Sequence, residues 1–332
     1  MSQMNAPIVS ILICTRNRAD SLRQTIISIG RCEIPADLST ELLVVDNGSS
    51  DNTRRVVERA ELKTMPVRYI HEPRAGQCFA RNRGLAEANG EVFIFTDDDT
   101  RLPGAWIEGM ARPILNGDAD AVAGGVILPE EVLRLLSSRS LDMYRSWFAA
   151  TDQINVENPE RMVGANMAFS RRVLELVPGF DTSLGPGALG FYDETLFSRQ
   201  LLEAGCRIAS RFDISVEHHF DTSRLSRAGF LSSAAKMGES EGYYEWHWQH
   251  ISDVPTKGGL LRAELSSLAR RLLRLKGPWS KSVAHWELEH IVRIARIRKM
   301  LGESSKPRKY ERNFPRRLPG NRERDSEISL PV

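Results

Sequence analysis

Asp97, Asp98 and Asp99 stand in a row directly after the apolar run Glu91 to Thr96 (EVFIFT). Three adjacent carboxylates repel one another and raise each other's pKa unless a cation sits among them. A hard divalent ion, Mg²⁺ or Mn²⁺, is the simplest remedy, and such an ion commonly shares one or two carboxylates with the phosphates of a nucleotide. Standing alone, the triplet could equally be a solvated acidic turn. It has company: Thr15-Arg16-Asn17 follows the run Val9 to Cys14 (VSILIC), and Asp46-Asn47 follows Glu41 to Val45 (ELLVV). Polar residues just beyond the carboxyl ends of strands line the ligand crevice of an open α/β sheet.

Holding these groups together requires alternating strands and helices, and the first hundred residues read that way. Strands are expected at 9–14, 41–45, 67–71 and 91–96, with helices at 20–29, around 53–60 and at 80–88, the first closed by Gly30 and the last broken by Gly90. Beyond 119 the pattern predicts a strand at 120–127 and helices near 130–147 and at 170–176. A further helix over 193–204 carries acidic residues in its first turn and Gly205 past its end. Within the third helix Arg81 and Arg83 read as surface charges and Asn82 is undecided.

The ordered set TRNR, VVDNGSSD, EPRAGQCFARNRGL and FTDDD, each after a strand, resembles family 2 glycosyltransferases over about residues 7–220. The resemblance implies a GT-A nucleotide-diphospho-sugar transferase fold, α/β with a mostly parallel central sheet flanked by helices, here with a C-terminal helical extension. It also implies inverting transfer from a nucleotide-sugar donor, UDP-linked by expectation, to an acceptor hydroxyl, in polysaccharide or glycoconjugate synthesis. Thr15, Arg16, Asp46, Arg74, Asp97, Asp98 and Asn166 would then contact the nucleotide sugar. Asp99, Asp97 and His218 would hold the metal, with stabilisation of the diphosphate an alternative for the histidine. The segment from Tyr192 to Arg199 is similar to the family's Glu-Asp-x-x-Leu-x-x-Arg, with Tyr192 in place of the Glu. Asp193 and its neighbour Glu194 therefore both stand as candidates for the base that takes the acceptor proton, a role worth about 10²–10⁴ in rate. The stretch from Gly185 to Gly190 fits GxGxxG by letter, but no strand precedes it, so it reads as a loop bordering the acceptor rather than a dinucleotide fingerprint. A non-catalytic nucleotide-sugar-binding module and a nucleotidyltransferase are the rival readings.

Composition bounds these expectations. The chain has 332 residues with 45 Lys+Arg against 43 Asp+Glu, and no apolar stretch reaches the 18 or more residues of a membrane span. The cysteines at 14, 32, 78 and 206 show no metal or disulfide spacing, and with no basic leader at the first residues the expected location is cytoplasmic. Charge is divided: from 251 onward there are 19 basic and 9 acidic residues, leaving 26 and 34 before it. A transferase domain over 1–220, a helical extension over 221–303 and a basic flexible tail over 304–332 are expected. Leu260 to Leu275 (LLRAELSSLARRLLRL) predicts a basic amphipathic helix that lies on a membrane face, or else packs on the body of the chain or a second copy as a homodimer. The expected partners are the donor and a glycan, lipid-linked or small-molecule acceptor, with no nucleic acid, since no reading motif is present.

Overall fold

A computed structural model describes residues 8–157, 159, 161–273 and 283–311. An eight-stranded sheet runs through it: β1 Val9–Thr15, β2 Thr40–Asp46, β3 Val67–His71, β4 Val92–Asp97, β5 Thr100–Arg101, β6 Ala121–Ile127, β7 Asn166–Ser170 and β8 Ile208–His218. The helices are α1 Ala19–Ile29, α2 Thr53–Glu58, α3 Gln77–Glu87, α4 Trp106–Leu115, α5 Glu130–Ser138, α6 Val173–Leu176, α7 Asp193–Glu203, α8 Arg227–His247, α9 Lys257–Leu273 and α10 His285–Glu303.

The strand order is β3-β2-β1-β4-β7-β6-β8-β5. Pairings among β3, β2, β1 and β4 are parallel, whereas β7 is antiparallel to both β4 and β6. The sheet is thus more mixed than expected, its second half turning on β7. Alternation divides the central strands between two cores. Val9, Ile11, Ile13, Val92 and Ile94 pack with α1 and α4, while Leu12, Phe93 and Phe95 pack with α3 and α7. Strands covered on both faces must be apolar throughout, as the continuous runs already implied. Gly90 leads into β4 because a Cβ there would lie 2.6 Å from the Ser10 amide nitrogen.

Several expected elements shift. The helix expected over 130–147 divides into α5 and a 3-10 turn over 142–148, with Ser140 between them at φ +54. The helix expected at 170–176 shrinks to one turn after β7. Eleven-residue β8 was not foreseen as a strand.

The C-terminal helices share a core with residues 128–150, where Tyr144, Trp147 and Phe148 meet Phe220, Phe230 and Leu288. Gly238 and Gly242 let α10 approach α8 closely: a Cβ on either would meet backbone oxygens of α10, Val292 at 2.1 Å and Arg296 at 2.6 Å. On α9, Ala263 and Ser267 are buried while Leu261, Leu265, Leu268 and Leu272 are 54–68% exposed on the opposite side. Among the described residues, these four leucines therefore do not pack on the body of the chain. Residues 274–282 and most of the expected tail, from 312, lie outside the described residues. The described part, 304–311, is anchored rather than loose: Tyr310 is fully buried and its hydroxyl donates to Asp181 at 2.7 Å. None of the described helices is long and apolar enough to cross a membrane.

Candidate active site

Register brings the polar clusters level. Thr15 pairs with Asp46 and Cys14 with Asp97, so β1, β2 and β4 deliver their last residues to one rim. There the Thr15 hydroxyl donates to Asp98 at 2.6 Å, and Arg18 spans Asp98 at 3.3 Å and Asp99 at 2.9 Å. Antiparallel pairing of Thr100 with His218 sets the histidine beside the triplet, its Nε2 3.1 Å from Asp99 Oδ1. Burial raises the Asp97 carboxyl, reinforced by the charge of Asp99. Burial likewise lifts Asp98 to about 7 against the pull of Arg18. Asp99 behaves oppositely: burial opposes its charge, but the His218 hydrogen bond and the His218 and Arg18 charges hold it at about 2. Burial also works against a charged His218, yet Asp99 keeps its pKa above the ordinary value.

Donor atoms of Asp97, Asp99 and His218 all lie within 4.8 Å of one another. The other ring nitrogen of His218, Nδ1, faces the Phe148 carbonyl oxygen at 2.8 Å. A nitrogen facing a carbonyl carries the proton, so in the neutral ring Nε2 presents a lone pair toward Asp99, an arrangement suited to a metal ligand. With the ring neutral, Asp99 Oδ1 is buried without a hydrogen-bond donor, since Nε2 at 3.1 Å then carries no proton. A lone pair and an unsatisfied carboxylate oxygen aimed at one point fit a divalent cation. Two carboxylates with one imidazole suit Mn²⁺ somewhat better than Mg²⁺, which prefers oxygen alone.

A second charged centre lies at the start of α7. Arg81 of α3 is 2% exposed and grips two carboxylates, Asp193 Oδ2 and, at 2.9 Å, Glu194 Oε1. Its guanidinium lies over the Phe180 ring, 5.1 Å from the centroid. One cation shared by a buried acid and a half-buried one leaves them unequal. Asp193 is pushed well above the usual carboxylate range by burial and the Glu194 charge, while Arg81, against the cost of burial, holds Glu194 at about 2. The surface reading of Arg81 is thus corrected. Spacing held the signal: Arg81 lies three residues after Cys78 and four before Leu85, both buried, and so shares their face. Arg83 is a surface charge paired with Glu87, as expected, and Asn82 is buried, exchanging hydrogen bonds with the backbone of Phe180.

One cavity of about 630 Å³ joins the two centres, lined by Thr15, Arg16, Asp97, Asp98, Asp99, Asp193, Glu194 and His218 among others. The loop from Gly185 to Gly190 closes over it. Pro186 accepts the Gln77 amide at 2.9 Å, and Gly185, at φ +78, passes so near Asp193 that a Cβ would lie 2.7 Å from the carboxylate. Three expected site residues are not brought to this lining. Asp46 lies buried just behind the rim, accepting from the Ser49 amide and the Tyr69 hydroxyl at 2.8 Å each. Arg74 pairs with Glu72 at 2.8 Å and covers Phe79. Asn166 is fully buried, bonded to the carbonyls of Gly125 and Ile214 and to the Trp106 indole, so it braces the sheet rather than lining a cleft. Arg18, Arg81, Arg161, Arg224 and Lys236 line the cavity instead without having been foreseen.

Comparison with known proteins agrees with this architecture. The sequence model described as "Glycosyl transferase family 2" matches residues 10–177. The glucosyl-dolichyl phosphate glucuronosyltransferase of Haloferax volcanii is 26% identical over 184 residues, which is 53% of this chain and 57% of that protein. Glycosyltransferase AglE of the same organism is 28% identical over 121 residues, 36% of this chain and 40% of that protein. The chain thus matches only about half the length of these curated relatives. The structure of a mannosyltransferase from Pyrobaculum calidifontis, in complex with GDP-Man and Mn²⁺, superimposes with a TM-score of 0.59 over 90% of this chain and 88% of that one, at 18% identity. That is a likeness of fold.

Proposed function

Because the chain belongs to glycosyl transferase family 2 and is a GT-A glycosyltransferase, we propose that it transfers a sugar, with inversion, from a nucleotide-diphospho-sugar to an acceptor hydroxyl in the cavity between Asp99 and Asp193. The observation that carries this reading is that the Asp97–Asp99–His218 cluster and the Asp193–Arg81–Glu194 cluster line one cavity. Asp97, Asp99 and His218 would hold Mn²⁺ or Mg²⁺, which when bound supplies positive charge to the diphosphate as it leaves. Thr15 and Arg18 hold the triplet in place, and Arg16 meets phosphate at the rim. Across the cavity Asp193 is the base. The acceptor oxygen forms its bond to the anomeric carbon, the bond from that carbon to the phosphate oxygen breaks, and the acceptor proton passes to the Asp193 carboxylate. Arg81 fixes that carboxylate's direction, as preorganised charge does best in a site shielded from water.

The donor is read as UDP-linked; the GDP-Man and Mn²⁺ of the Pyrobaculum mannosyltransferase make GDP sugars the natural comparison. Attachment to an anionic membrane surface through α9 suits a lipid-linked acceptor, and the reduced cysteines suit the cytoplasmic side. The test is product analysis. With Mn²⁺ and a panel of UDP and GDP sugars, proton NMR should find nucleoside diphosphate released and the product's anomeric centre opposite to the donor's. A product of retained configuration would overturn the single-base mechanism.

A further inference from the structure

We propose that the acceptor is anionic, carrying a phosphate that Arg161 and Lys236 hold beside Asp193; the proposal rests on the glycosyltransferase reading and narrows its substrate class. The cavity contains more cations than its carboxylates consume. Arg18 is spent on Asp98 and Asp99 and Arg81 on Asp193 and Glu194. Arg16, Arg161, Arg224 and Lys236 also line it, and none of them forms a carboxylate ion pair among the described residues.

Position divides these four. Arg16 follows Thr15 at the strand rim. Arg224 is stacked on Phe148 and Phe220, 5.3 and 5.2 Å from the ring centroids, donates to the Trp147 carbonyl at 2.9 Å, and feels the charges of Asp97 and Asp99. Both belong to the end where the donor's diphosphate sits. The other two flank α7. The segment bearing Arg161 is tied to that helix by the Met162 amide, which donates to the Ser198 hydroxyl at 2.9 Å, and a Cβ at Gly164 would lie 2.3 Å from Glu194. The stem of Lys236 lies over Gly190, where a Cβ would come within 2.9 Å of it. Gly190 is two residues before Tyr192, whose phenol feels the charge of Arg161. Two elements remote in sequence thus bring positive charge to the cavity wall at Gly190 and Tyr192, directly before Asp193 in the chain. Trp147, Met162 and Met237 line the same cavity, and apolar walls strengthen the attraction of a cation pair for an anion. The acceptor's phosphate takes no part in bond making.

A free sugar phosphate and a lipid-linked sugar phosphate present the same group, and calorimetry separates them. The full chain, saturated with nucleoside diphosphate and Mn²⁺, is titrated with methyl α-glucoside, glucose 1-phosphate and farnesyl phosphoglucose. Both phosphates should bind at least tenfold more tightly than the glucoside, and the Arg161→Gln, Lys236→Gln double variant should erase that difference, whereas Arg161→Lys should keep most of it. Nucleotide affinity measured in the same cell reports that the variants are folded. Tighter binding of the farnesyl compound than of glucose 1-phosphate assigns the lipid-linked source, and equal binding the soluble one. Equal binding of glucoside and phosphates, no binding of glucose 1-phosphate, or a preference surviving in the double variant overturns the proposal. Failure of nucleoside diphosphate itself to bind would strike the glycosyltransferase reading instead.

Discussion

Asp193 shares one guanidinium with Glu194, and which acid keeps the proton follows from burial. Asp193 is the more enclosed of the two and is pushed above the usual carboxylate range, whereas Glu194 is held at about 2. A base works only when ionised, so kcat should rise with pH as Asp193 loses its proton, along a limb displaced above the ordinary Asp value of about 3.9. Asp193→Asn should lower kcat by roughly two orders of magnitude or more with donor affinity nearly unchanged, and should remove that limb from the pH–rate profile. Near-normal turnover in this variant would move the role to Glu194. The acidic triplet was legible because three adjacent charges after a strand are an anomaly that demands a partner. Arg81 was not, because one arginine on an amphipathic helix looks like a surface charge until its neighbours at 78 and 85 are known to be buried. Asn166 misled for the opposite reason: a polar residue opening a strand can serve a ligand or the sheet, and only its three satisfied hydrogen-bonding contacts decide.

The parallel strands were readable from unbroken apolar runs, because strands buried on both faces admit little else. The antiparallel turn-back at β7 and the whole of β8 were not. The residues of β8 before Val216 are largely half-exposed and alternate weakly, so their pairing is set by β6 and by the bulge at Gly124/Gly125 rather than by local pattern. The helical character of α9 was legible, and its orientation was not, since a leucine stripe packs equally well in a core or outside one. Its leucines stand at four-, three- and four-residue steps, one narrow face, with exposed Lys257, Arg262 and Arg270 on the same helix. Burying one leucine side chain contributes about 1.5–3 kcal/mol. In vesicle cosedimentation with phosphatidylglycerol, Leu265→Glu with Leu268→Glu should weaken binding at least tenfold while circular dichroism is unchanged. Unaltered binding in that variant would remove α9 from the membrane face.

Over the whole molecule, charge and core are divided differently along the chain. The basic C-terminal quarter, which composition sets apart, is woven into the body: Tyr310 donates to Asp181 at 2.7 Å, beside Tyr243 of α8 at 2.6 Å, and Lys309 donates to Ser183 at 2.7 Å. Asp181 opens the loop that runs to Asp193, so the far end of the described chain steadies the approach to that carboxylate. A hydrogen bond to a charged group is worth about 1.5–3 kcal/mol. Tyr310→Phe should therefore lower unfolding stability in urea by about that amount, and a change below about 0.5 kcal/mol would show the clamp to be incidental. No local pattern reveals a contact spanning 129 residues, which is why this part of the chain read as a tail.

Calorimetric titration of UDP, and of GDP in parallel, into the protein with Mn²⁺ and again with EDTA tests the cation at the strand rim most directly. The favoured nucleotide should bind at least tenfold more tightly with Mn²⁺, and Asp99→Asn should lose that gain while still binding weakly in EDTA. Equal affinity with and without the metal would contradict it.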